Sequence, residues 1–215
     1  MVRYARQLNL IGKRGQEKLR RAKVIIFGLG GLGNFVSLEL TLSGVGKITL
    51  VDKDVVSLSD LNRQFLYEEK DVGKKKVLVA ARRLREINPD VVIEPIYGDL
   101  MKMKIDKLIK DCDLVVDCLD DWKTRWKLFE EVKKAKKPLV HGAVEGWRGQ
   151  VGFLKENIDK VKKVGLACTA VLSPPVGLVG SLQATICLRY LLGQLKKEFF
   201  MTMNLEKGEF KRLEF

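Results

Sequence analysis

Lys23-Val24-Ile25-Ile26-Phe27-Gly28-Leu29-Gly30-Gly31-Leu32-Gly33 decides the architecture. Its first five residues form a short apolar run with the composition of a buried strand, and they lead straight into a glycine-rich turn. Beyond the turn Leu32, Phe35, Val36, Leu38, Leu40 and Leu42 are densely apolar until Ser43-Gly44, which predicts a buried helix over 32–42 with a glycine stop. A strand passing through glycines into a helix brings backbone N–H groups and the positive end of the helix to one point, where phosphate is held. Asp52 ends the next apolar strand, Lys47–Val51, where a carboxylate can accept ribose hydroxyls. Gly28, Gly30, Gly31, Gly33 and Asp52 are therefore read as nucleotide-binding residues. The competing reading keeps the glycines for close strand–helix packing alone, and at this point NAD and ATP both remain open.

Working outward, strands and helices alternate. Val77, Ala80, Ala81, Leu84 and Ile87 hold the spacing of an amphipathic helix, broken at Asn88-Pro89-Asp90. A strand follows at 91–96, a short helix at 103–110, a strand at 114–116 running into Asp117-Cys118-Leu119-Asp120-Asp121, a helix at 122–134 and a strand from 138 to 140. Such alternation predicts an α/β fold of Rossmann type: a mainly parallel sheet with helices on both faces and sites at the C-terminal strand ends. After residue 145 the pattern changes to a strand at 150–154, a long apolar helix at 176–195 and two strands around Glu206-Lys207-Gly208, which predicts an antiparallel C-terminal extension. Without an internal repeat or a linker rich in Pro, Gly or Ser, residues 1–215 are read as one domain.

The 215 residues contain 46% hydrophobic and 31% charged residues, a composition that excludes a disordered chain. No apolar run is long enough for a membrane helix and the first residues lack a secretory h-region, so a cytoplasmic protein is expected. The net charge of +13 suits nucleotide, nucleic acid or an acidic partner, or simply a solvated surface. The basic residues are not interleaved with aromatics as in single-strand binders. Cys112, Cys118, Cys168 and Cys187 do not form the C-x-x-C pairs of a structural zinc site. His141, the sole histidine, receives no catalytic role.

Specificity comes from Asp52-Lys53-Asp54-Val55-Val56 followed by Ser57-Leu58-Ser59-Asp60-Leu61-Asn62-Arg63-Gln64. An arginine just beyond the ribose-binding acid has no use in a dehydrogenase. The stretch resembles the ThiF/MoeB/HesA-type family of ubiquitin-activating-like enzymes, the sulfur-carrier adenylyltransferases of molybdopterin and thiamine synthesis. Arg3-Tyr4-Ala5-Arg6-Gln7, Val72-Gly73-Lys74-Lys75-Lys76, Ile87-Asn88-Pro89, Asp117 to Asp121, Gly149-Gln150 and Gly180-Ser181-Leu182-Gln183-Ala184 follow in the family's order.

The resemblance implies an ATP-dependent adenylyltransferase that activates the C-terminal Gly carboxylate of a small ubiquitin-like carrier with a Gly-Gly tail, releasing pyrophosphate. By the same resemblance Arg63 and Lys76 bind phosphate, Gln64 lies at the nucleotide, Asp54 stands beside Asp52 near the ribose, and Asp120 binds Mg2+. Arg6 resembles an arginine that reaches into the partner protomer's site, which implies a homodimer. Taken singly, Arg63 reads equally as an exposed loop residue, Lys76 as a solvated lysine and Asp120 as the N-cap of the helix after it. The chemistry fits the family assignment, since two anions must meet and charge grows on the leaving group, so cations and a metal are needed more than a base.

Three departures stand out. Asp60 occupies a position where most relatives carry Asn, putting a negative charge beside the expected triphosphate. The zinc cysteines of many relatives are missing, so no structural zinc is expected. The third is the lysine-rich region Lys155 to Ala167, which offers nothing recognisable; beyond it Cys168 precedes Ser173-Pro174-Pro175 at an interval shorter than that of the family's crossover-loop cysteine, which leaves it a candidate acceptor thiol or an incidental one. Alternative functions are an enzyme activating another carboxylate, such as one borne by tRNA, an NAD(P)-dependent oxidoreductase, and a binding protein that has lost chemistry.

Overall fold

The computed structural model describes residues 2–164 and 170–215. Helix α1 (Ala5–Arg21) precedes strand β1 (Lys23–Phe27), followed by α2 (Gly31–Leu42), β2 (Lys47–Asp52), α3 (Lys76–Ile87), β3 (Val92–Tyr97), α4 (Ile105–Ile109), β4 (Leu114–Asp117) and α5 (Trp122–Lys134). Then come β5 (Leu139–Glu145), β6 (Arg148–Leu154), α6 (Ser173–Leu191), β7 (Phe199–Asn204) and β8 (Glu209–Glu214). One eight-stranded sheet runs in the order β3-β2-β1-β4-β5-β6-β7-β8. The first five of these are parallel, and β6, β7 and β8 add on antiparallel.

Alternation along β1 explains the two layers. Val24 and Ile26 face a core shared with α2, α3 and α6, whereas Ile25 and Phe27 face a second core shared with α4 and α5. Each fully buried Ile or Phe contributes about 1.5–3 kcal/mol of transfer free energy, and β1 is covered on both faces. This is why its sequence is a continuous apolar run rather than an alternating one. Against α2, Gly177 and Gly180 of α6 let the two helices close on Phe35, which a Cβ at either glycine would meet within about 3.1 Å.

Several boundaries move from the sequence reading. α1 was not anticipated: its pattern is interrupted by Gly12, whose φ of 68° kinks the helix. The helix expected over 103–110 shrinks to α4, with a 3-10 turn at Leu100–Lys102 before it. α6 begins earlier, at Ser173, with proline in its first turn, and ends at Leu191. β5 continues through Gly142 to Glu145 because β6 pairs with it along its whole length, whereas β4 pairs only as far as His141. Cys168 lies outside the described residues.

Candidate active site

Sheet order reverses its direction of travel between β1 and β4, and a cleft opens there at the C-terminal strand ends, the place where doubly wound folds take ligands. Gly28, Gly30 and Gly31 line it from β1 and α2, Asp52 and Asp54 from the end of β2, and Asp60, Arg63, Gln64 and Lys76 from the segment leading into α3. Asp120 and Asp121 close the rim beyond β4. Gly33 sits behind the cleft wall, and Arg6 is exposed on α1 away from the lining of its own chain's cleft.

The glycine turn is held by side chains. Leu29 N–H donates to Asp52 Oδ2 (2.6 Å), the Asn34 amide donates to Leu29 O and Gly30 O (both 2.9 Å), and Tyr67 O–H donates to Leu29 O (2.9 Å). Gly28 has φ 92°, and a Cβ there would lie 2.6 Å from Cys118 O. A Cβ at Gly33 would lie 2.0 Å from Gly28 O, and one at Gly31 would lie 2.6 Å from Val176 of α6. Packing alone therefore requires these three glycines. Gly30 differs, because a Cβ there would meet only Gln64 Nε2, at 3.8 Å, in the open cleft. Gly30 is the N-cap of α2 and Gly31 and Leu32 begin it, where a helix leaves its first N–H groups without intrahelical partners.

Asp52 is nearly buried and its second oxygen accepts from Asp54 N–H (2.7 Å). Asp54 is exposed. Partial burial, together with the charges of Asp52 and Asp120, raises its carboxyl above the usual range against the pull of Lys76. Lys76 opens α3 and is 5% exposed, so it is not one of the solvated lysines. Its Nζ stands 3.2 Å from Asp60 and 3.9 Å from Asp54. Arg63 is half-buried and donates to Ser59 O (3.0 Å) and Asn62 Oδ1 (2.9 Å), with a further nitrogen 3.8 Å from Asp60. Asp60 caps the 3-10 turn Leu58–Asp60 by accepting from Ser57 N–H (3.0 Å) and accepts from Gln64 Nε2 (2.8 Å). Burial opposes its ionisation, but the Ser57 N–H, Lys76 and Arg63 outweigh that and hold its carboxyl below the usual range. Gln64 is buried, and its Oε1 has no hydrogen-bond partner among the described residues.

The N-cap of α5 is Asp121, which accepts from Thr124 N–H (2.8 Å), so the capping role considered for Asp120 belongs to its neighbour. Behind this loop lies a buried network that sequence reasoning missed. Asp117 pairs with Arg125 (2.9 Å) and with His141 Nδ1 (2.7 Å), and Gln150 Nε2 stands 3.0 Å from His141 Nε2. Burial keeps the imidazole below its ordinary value, so it is neutral, donating from Nδ1 to Asp117 and accepting at Nε2 from Gln150. Asp117 is held ionised against its burial by Arg125 and His141. Arg125 also donates to Leu119 O and to Gly142 O (3.0 Å), tying the Asp120 loop to β5. The only local sign was Asp117 at a strand end; its partners come from α5, β5 and β6.

The cleft fits a nucleoside triphosphate by its donor set. The helix-terminal residues Gly30 and Gly31, the cations Arg63 and Lys76 and the carboxylates of Asp52, Asp54 and Asp120 line one cleft, and the buried acceptor of Gln64 has no partner among the described residues. Asp120 offers hard carboxylate oxygens suited to a divalent cation; among the described residues no group of three or more His, Cys, Asp or Glu side chains forms a ready metal cage.

The ThiF family model matches residues 4–215. The chain is 39% identical over 206 residues to the molybdopterin-synthase adenylyltransferase of Escherichia coli, covering 90% of this chain and 83% of that one. It is 37% identical over 210 residues to the sulfur carrier protein adenylyltransferase of Thermus thermophilus, covering 89% and 78%. Among solved structures, E. coli MccB with ATP aligns with a TM-score of 0.80 at 25% identity, covering 99% of this chain and 71% of that one.

Proposed function

The chain belongs to the ThiF family, and on that premise we propose how its cleft works. It is an ATP-using adenylyltransferase for a sulfur-carrier protein, of the kind named in its molybdopterin and sulfur-carrier relatives. Those relatives do not favour the dehydrogenase or tRNA-carboxylate readings. The observation that carries the assignment of roles is convergence. Arg63 and Lys76 stand at one cleft with the N-terminus of α2, although they come from different stretches of chain.

In this reading the carrier's terminal Gly carboxylate, already ionised at neutral pH, attacks the α-phosphorus of ATP, and pyrophosphate leaves. Arg63, Lys76 and the amides of Gly30 and Gly31 neutralise the approaching anions and the charge growing on the leaving group, from fixed positions that need little reorganisation. Asp52 receives the ribose hydroxyls with what remains of its acceptor capacity after Leu29 and Asp54. Asp54 stands beside it, and Gln64 contributes its buried acceptor. Asp120 would hold Mg2+, which would supply further positive charge to the phosphates. Arg6 acts across a homodimer, since it does not line its own chain's cleft. Residues 1–215 work as one domain in the cytoplasm, Cys168 remains a candidate acceptor thiol, and no structural zinc takes part.

The test is ATP–pyrophosphate exchange with Mg2+ and small carriers ending in Gly-Gly. Exchange that depends on the carrier is expected, and Arg63→Ala should lower it by about a hundredfold, the scale for removing one charged transition-state contact. Unchanged exchange in that variant removes the role given to Arg63.

A further inference from the structure

The two cations assigned above to phosphate already share an anion. Asp60 Oδ2 lies 3.2 Å from Lys76 Nζ, and its Oδ1 lies 3.8 Å from Arg63. The Asp60 and Lys76 side chains are only 10% and 7% exposed. Asp60 is held in place, because the Ser57 N–H donates to its Oδ2 (3.0 Å) and the Gln64 amide to its Oδ1 (2.8 Å). A buried ammonium without a counter-charge is costly, and a fixed carboxylate beside an incoming polyanion is repulsive.

From these contacts we infer that Asp60 is a built-in counter-anion: it holds Lys76 and Arg63 in the nucleotide-free protein and competes with the triphosphate for them. The inference rests on the reading that ATP enters this cleft. Its physical content is a trade. The phosphate-binding corner is pre-formed and stable when empty, and ATP binds more weakly than the same cations would hold it without Asp60.

Asp60→Asn tests the trade, because the amide keeps an acceptor for the Ser57 N–H while losing the charge. By calorimetry at low salt and neutral pH, the variant should bind ATP about three- to tenfold more tightly than the natural chain. Its unfolding temperature without nucleotide should fall. A purely structural Asp60 would lower the unfolding temperature and leave ATP affinity unmoved or weaker, which overturns the inference. Should Asp60→Asn not fold, Asp60→Ser must show the same gain in affinity.

A second measurement needs no nucleotide. Losing its buried counter-charge should speed labelling of Lys76 by an amine-selective acylating reagent about fivefold or more, read by peptide mass spectrometry. Unchanged labelling also overturns the inference. If the natural chain binds no ATP at all, the functional reading fails instead, and labelling then decides the counter-anion role by itself.

Discussion

Gly30 and Gly33 are the same residue type under opposite constraints. Gly33 has a carbonyl 2.0 Å from where its Cβ would be, whereas Gly30 has open cleft. Gly33→Ala should therefore cost about 2 kcal/mol or more in chemical denaturation, as forced overpacking does. Gly30→Ala should change stability by less than about 0.5 kcal/mol. It should weaken ATP binding about tenfold, the equivalent of ~1.4 kcal/mol of crowding in the cleft. Equal stability losses in the two variants would mean that Gly30 is also a packing glycine. The sequence reading could not divide the glycines this way, since both readings fit the pattern and only the positions of the Gly28 carbonyl and of Gln64 separate Gly33 from Gly30. Asp120 and Asp121 were likewise indistinguishable as letters. The helix phase gives the cap to Asp121 and leaves Asp120 at the rim. The position of Asp60 was foreseen as a charge conflict; its resolution by Lys76 and Arg63 needed the fold.

Among the elements, β4 and β5 carry the largest unforeseen feature, the Asp117–Arg125–His141 cluster. His141 has its folded value below the ordinary 6.5 because burial disfavours its charged form, so the unfolded chain takes up a proton first as pH falls. Stability from this group is complete above about pH 6.5 and declines below it, by ~1.4 kcal/mol per pH unit while one proton separates the states. Asp117, depressed below 3.8, adds a second loss only below that value. Denaturant midpoints measured from pH 8 to pH 4.5 should fall accordingly, and His141→Gln, which cannot titrate, should flatten that stretch. A slope unchanged in His141→Gln would assign the proton to another group. β1 and β4 were legible because strands covered on both faces are apolar throughout, and β2 because Ile48, Leu50 and Val51 are buried although Lys47 and Thr49 keep one face partly open. β5 was cut short in the reading at His141-Gly142, where a buried polar residue and a glycine imitate a strand end. α1 escaped because its amphipathic pattern restarts across the Gly12 kink.

For the whole molecule, the parallel half of the sheet supplies the cleft and the antiparallel half extends the sheet to β8, matching the α/β architecture and C-terminal extension expected from the pattern. Among the described residues no helix is long and apolar enough to cross a membrane. Arg6 belongs to this scale, because it is exposed on α1 and outside the lining of its own cleft, and the role proposed for it lies in a second copy of the chain. Mixed dimers of Arg6→Ala and Arg63→Ala protomers should regain a substantial fraction of the exchange activity that either variant lacks alone, since one composite cleft is intact. Verified mixed dimers without recovery would confine Arg6 to its own chain.

The central pairing of β1 with β4 has a kinetic corollary. Lys23 and Asp113, joined where those strands begin, are 90 residues apart in the chain. Closing so distant a contact is entropically expensive and slow compared with forming a hairpin such as β7–β8. The cleft draws its walls from segments on both sides of that closure, so a half-folded chain has no place for ATP, and the nucleotide can stabilise only the finished molecule. During refolding, ATP should leave the early steps untouched and act only on the last species to form.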